Sequence, residues 1–107
     1  MNFLILGAGG MAGHTTAIYL AERGHSVTAL TRASFPYGRF IRGDVKDVQF
    51  LKGVLAAGKY DVVVNCVGVL NQDAERDKSL AVWLNGYLPH LLSELTRGTS
   101  TRVLHIS

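Results

Sequence analysis

The chain has one cysteine, Cys66, two prolines, Pro36 and Pro89, and no run of like charges. A lone cysteine excludes an internal disulfide framework and a cysteine-cluster metal site. Its four histidines, His14, His25, His90 and His105, lack a metal-ligand spacing such as His-x-x-x-His. No segment reaches the ~18 apolar residues of a membrane span. The opening apolar run stops at Leu6, which is not a signal-peptide layout. Charged residues are only 18% of the 107, against 48% hydrophobic, a balance that suits a sheet buried on both faces. The formal charge is a mild +3, with a loose grouping of Arg32, Arg39 and Arg42. Such a charge serves a phosphate-rich small ligand better than nucleic acid. What remains is one domain, residues 1–107, or part of one. It is expected in the cytoplasm, with neither a membrane nor a nucleic acid as partner.

Glycine, by contrast, is concentrated where it can matter. Residues 4–13 read Leu-Ile-Leu-Gly-Ala-Gly-Gly-Met-Ala-Gly, an apolar strand running into a dense turn. Residues 11–23 continue with helical composition, with Ala17, Leu20 and Ala21 as the packing face, and Gly24 suits the left-handed closing position. Residues 26–31 read as a second strand, 33–38 as a loop and 39–41 as a short edge strand. Val48, Leu51 and Leu55 share helical spacing, which predicts a helix over 45–55. The β-branched run at Val62, Val63 and Val64 predicts a central parallel strand over 60–67. Residues 71–78 are polar loop. Leu80, Trp83, Leu84, Tyr87, Leu88, Leu91 and Leu95 predict a long helix with a wide apolar face, and 102–106 a last strand.

This order, β-α-β-β-α-β-α-β, predicts an α/β fold: a doubly wound parallel sheet, Rossmann-like, with about five strands and right-handed crossovers. Ligands of such sheets lie at the carboxyl ends of the strands, at the topological switch. The glycine turn, Thr31 with Arg32, Val67 with Gly68 and Val69, and Ser107 all fall on that edge.

A strand, a tight turn and a helix N-terminus aimed at a pyrophosphate are what a dinucleotide site needs. Two frames fit. In one, Gly7 and Gly9 are followed by Ala12 as the third small residue; in the other Gly7, Gly10 and Gly13 recur at intervals of three. Gly7, Gly10, Met11, Ala12 and Gly13 are therefore candidate cofactor contacts. The other reading is a merely structural turn. A site for NAD places an acid at the end of the second strand. Here Thr31 and Arg32 occupy that place, and no acid occurs between Glu22 and Asp44. A guanidinium pairs with a 2′-phosphate, so NADP is the expected cofactor, with NAD the alternative if Arg32 is only a solvated loop residue. The same missing acid argues against S-adenosylmethionine-dependent methyl transfer.

Further segments resemble the extended short-chain dehydrogenase/reductase family, in its dTDP-4-dehydrorhamnose reductase branch. Besides the glycine turn through His14, these are Gly43-Asp44-Val45, Asp61 through Gly68, Asn85 with Pro89, and His105-Ile106-Ser107. The resemblance runs in order along the whole chain. It implies a cofactor-binding domain, with Asp44 and Val45 at the adenine and Val67, Gly68 and Val69 along the cofactor. Asp44 could equally cap a helix starting near Val45, and Asn65 and Cys66 could be plain strand residues. Pro89 cannot donate to the carbonyl of Asn85. That leaves the carbonyl for water or a side chain, or marks only a packing kink. Residues 67–75 keep just the final Ala-Glu of the branch's pattern.

Ketone reduction in this family uses a Tyr-x-x-x-Lys pair, and no tyrosine here has a lysine four residues on. The family places that pair beyond residue 107, with Ser107 next to the catalytic Ser/Thr. The expected function is thus the cofactor-binding part of an NADP-dependent reductase of a 4-keto nucleotide sugar, acting with that substrate and forming a homodimer. No catalytic residue is assigned within the chain. The alternative is a non-catalytic dinucleotide-binding or redox-sensing module.

Overall fold

The computed structural model describes residues 1–8, 10–32, 39–67, 79 and 82–106. Five parallel strands form one sheet in the order β3-β2-β1-β4-β5. They are β1 (Asn2–Leu6), β2 (Ser26–Thr31), β3 (Arg39–Arg42), β4 (Val62–Asn65) and β5 (Arg102–His105). The helices are α1 (Met11–Glu22), α2 (Val48–Gly58) and α3 (Leu88–Thr96), the last entered through a π-helical turn at Trp83–Tyr87. Among the described residues no helix is long and apolar enough to cross a membrane.

The apolar residues of β1 serve both faces, because successive side chains of a strand point opposite ways. Leu4 and Leu6 join Leu30, Val63, Leu51, Val54, Leu88 and Leu92 in the larger core, under α2 and α3. Ile5 joins Val27, Ala29, Val64 and Ala17 under α1. A strand buried on both sides belongs in the middle, and β1 pairs with β2 on one side and β4 on the other. The chain leaves β1 towards β2 and β3, then crosses back to β4. The loops after β1 and β4 therefore part in opposite directions, at the switch where open α/β sheets bind ligands.

Several boundaries differ from the sequence expectation, each for a physical reason. On α1 the buried residues are Gly13 and Ala17, with Leu20 half-buried, while Ala21 faces solvent. Helix α2 begins three residues later than expected. Its cap is Asp47, whose Oδ1 accepts from the Phe50 amide at 3.1 Å. Asp44 does not cap it: its Oδ1 accepts from the Lys46 amide at 2.9 Å and its carbonyl from the Asp47 amide at 3.0 Å. Two aspartates three residues apart competed for one helix, and the turn through Asp44 lets Val45 enter the core first.

The long helix is not regular either. The Leu88 amide donates to the Trp83 carbonyl, five residues back. Pro89 has no N–H, so the α-helical partner of the Asn85 carbonyl is missing and the turn widens beside it. Tyr87 consequently lies exposed, its ring 5.5 Å from that of Trp83, while Leu92 is fully buried. The expected loops at 33–38 and 71–78, and Leu80, lie outside the described residues.

Candidate dinucleotide site

The carboxyl edge of the sheet is tied together by the main chain. Beyond the strands, Gly7 donates to the Leu30 carbonyl at 3.3 Å and Gly43 to that of Thr31 at 2.9 Å. Cys66 donates to Leu6 at 3.0 Å and Ile106 to Asn65 at 3.0 Å. Each loop is thus held one residue past its strand, and the turn after β1 is placed against the ends of both β2 and β4.

The glycines of that turn divide into two kinds. Gly7 has φ +76°, which side chains rarely adopt. A Cβ there would also come within 3.0 Å of the Val67 amide nitrogen and Cγ2. At Gly13 a Cβ would collide with the Gly7 carbonyl and come within 2.8 Å of the Ala8 Cα, so the first turn of α1 lies directly on the end of β1. Gly10 is different. Its φ is −82° and, among the described residues, a Cβ would meet only the Gly7 oxygen, at an ordinary 3.6 Å. None of the described residues requires glycine there; an approaching phosphate would. Ala12 is exposed, so it is Gly13, the third glycine of the frame Gly7, Gly10, Gly13, that performs the close packing. Gly9 lies outside the described residues.

Helix α1 starts at this turn, with Gly10 at its cap position, no side-chain cap and no acid in the first turn. The first amides of a helix have no intrahelical acceptor, and they carry the positive end of its dipole. Asp47 closes the start of α2, whereas among the described residues no side chain caps the start of α1, on the ligand-binding edge of the fold. Met11, 89% exposed, and Ala12 flank it. The geometry fits a pyrophosphate: donors, a dipole and a glycine with room beside it.

The other expected residues take distinct places. Thr31 is buried at the end of β2 and Arg32 is exposed just beyond it. Thr31 pairs in register with Arg42, the last residue of β3, so Arg32 lies one residue past the level at which Arg42 ends its strand. Neither makes an ion pair among the described residues, where the pairs are Lys46 with Asp44 at 3.9 Å and Arg97 with Glu94 at 2.6 Å. Asp44 follows Gly43, whose amide is bonded to Thr31, whereas the Val45 side chain is in the core. Val67 packs partly on the larger core and lies against Gly7. Gly68, Val69 and Ser107 lie outside the described residues.

Two polar groups at this edge carry more than their strand positions suggested. Asn65 is only 4% exposed. Its Oδ1 accepts from the Val67 amide at 3.1 Å, and its Nδ2 lies 3.1 Å from His105 Nδ1. The one sequence signal was a polar residue closing a run of valines. Cys66 is half-buried under α1, and burial pushes its thiol above its usual range, outweighing the opposing effect of the Thr16 hydroxyl.

Comparison with known proteins narrows the fold to a family. The family model described as the NAD dependent epimerase/dehydratase family matches residues 3–107. A dTDP-4-dehydrorhamnose reductase of Streptomyces griseus is 32% identical over 107 residues, covering 99% of this chain and 33% of its own length. The chain thus spans about a third of that relative. Among solved structures, an L-threonine dehydrogenase of Clostridium difficile superposes with a TM-score of 0.86 at 21% identity, over 97% of this chain and 35% of its own. The Bordetella bronchiseptica enzyme WbmH, in complex with NAD+, gives a TM-score of 0.73 at 18% identity, over 89% and 34%. At those identities the structures speak for the Rossmann-like fold, and the cofactor class, a nicotinamide dinucleotide, comes with the family. The five-stranded sheet, the open glycine turn and the match over residues 3–107 agree: the chain belongs to the NAD dependent epimerase/dehydratase family.

Proposed function

We propose that this chain is the cofactor-binding part of an NADP-dependent sugar-nucleotide reductase resembling dTDP-4-dehydrorhamnose reductase. The observation that carries the reading is the start of α1, without a side-chain cap, at a glycine that no described residue requires, in a chain 32% identical to such a reductase along its length. Amides at Met11, Ala12 and Gly13 would hold the pyrophosphate, and Asp44 and the Val45 backbone the adenine. Arg32, just beyond β2 and with no acid in the sequence between Glu22 and Asp44, would take the 2′-phosphate. When bound, the nicotinamide supplies a hydride to the 4-keto carbon of a nucleotide sugar. The residues described here would bind and orient the cofactor.

Titrating NADPH and NADH separately tests the reading. NADPH should bind more tightly, and Arg32→Ala should weaken NADPH about tenfold or more while leaving NADH nearly unchanged, since a charge-assisted hydrogen bond is worth ~1.5–3 kcal/mol. A wild-type preference for NADH would overturn the NADP assignment.

A further inference from the structure

We propose that His105 is a positioning residue that sets the glycine turn by fixing the amide of Asn65, a role that rests on the dinucleotide reading above only for its consequence on binding. The two ends of a carboxamide are nearly the same shape, so its orientation is decided by its partners. On one side of Asn65 stands the Val67 N–H, a donor only, which demands Oδ1. On the other stands His105 Nδ1, 3.1 Å from Nδ2. Nδ2 must donate, so Nδ1 must accept, and the imidazole carries its proton on Nε2.

The consequence reaches across three strands. His105 ends β5 and pairs in register with Asn65 at the end of β4, which itself pairs with Leu6 at the end of β1. Asn65 is buried, so an Nδ2 without an acceptor is costly. Without His105 the carboxamide turns or shifts to find one, and the Val67 amide then loses its acceptor. Val67 is the residue whose nitrogen and Cγ2 crowd Gly7, each 3.0 Å from where a Cβ would be. A displaced Val67 therefore releases the turn that presents Gly10 and the open end of α1. The chain of contact is His105 to Asn65 to Val67 to Gly7.

The test uses 15N-labelled full chain. Long-range 15N–1H spectra of the wild type should show His105 as the Nε2–H tautomer. His105→Leu should move the Val67 and Gly7 amide signals and weaken NADPH binding about fivefold, the worth of roughly one hydrogen bond. His105→Asn, whose Oδ1 can accept where Nδ1 does, should restore both. A merely structural role would not distinguish Leu from Asn in this way. An Nδ1–H tautomer in the wild type, or Val67 and Gly7 signals unmoved in His105→Leu, would overturn the proposal. Should the wild type bind neither NADPH nor NADH, the dinucleotide reading fails, while the tautomer and the amide signals still decide the role of His105.

Discussion

Of the four glycines in residues 7–13, Gly7, Gly10 and Gly13 do different physical work, and substitution should separate them. Gly13→Ala drives a methyl into the Gly7 carbonyl and the Ala8 Cα. Overpacking of this kind costs ~1–3 kcal/mol, or roughly 4–8 °C in Tm for each kcal/mol in a domain this size. Gly10→Ala meets nothing among the described residues closer than 3.6 Å and should leave the melt within ~0.5 kcal/mol of wild type. Its expected effect is on NADPH, weakened about tenfold by the methyl in the phosphate's path. Thermal melts and titrations on the two variants measure both halves. Cys66 offers a second residue-scale test. Burial raises its folded pKa above the ordinary value of 9.0. The folded state thus holds the proton more tightly than the unfolded chain. The associated stability is present in full below the unfolded value and is lost as pH rises through the folded one. Alkylation should be slow at neutral pH and quicken above about pH 9. Melts from pH 7 to 10 should show an alkaline loss of stability that is reduced in Cys66→Ala.

At the scale of an element, the two helix starts show how similar local chemistry is put to opposite uses. The start of α2 is closed by the Asp47 carboxylate, and the start of α1 is left without a cap. Asp47→Ala should therefore cost about 1 kcal/mol, read as a lower Tm. Asp44→Ala removes only an exposed turn and a 3.9 Å pair with Lys46, worth ~0–1 kcal/mol. An equal loss in both variants would contradict the capping assignment. The sequence could not separate these aspartates, because both precede apolar residues at helical spacing. Only the burial of Val45 in a turn places the helix after it. The π-helical turn was half legible. Pro89 announced a lost donor, but whether the helix kinks or widens depends on how Trp83 and Leu84 pack.

For the whole molecule, the sheet was legible because its evidence is repetitive. Alternating faces in Phe3 through Leu6, and three valines in β4, prescribe strands buried on both sides whatever their neighbours. The glycine turn was legible because backbone geometry leaves few residue types free to vary at Gly7 and Gly13. The link from His105 to Asn65 was not, since it joins residues 40 apart that only the β4–β5 register brings together. The exposed side of Ala21 was likewise decided by where α1 meets the sheet. The central claim concerns one edge of this molecule, and an amide chemical-shift map on adding NADPH tests it most directly. Shifts should concentrate at Gly7, Gly10, Met11, Ala12, Gly13, Arg32, Asp44 and Val67, and leave Ser26, Asp61 and Arg102 at the opposite edge unmoved. Saturable shifts confined to that opposite edge, or to the groove between Ile41, Phe50, Gly53 and Tyr60, would contradict it.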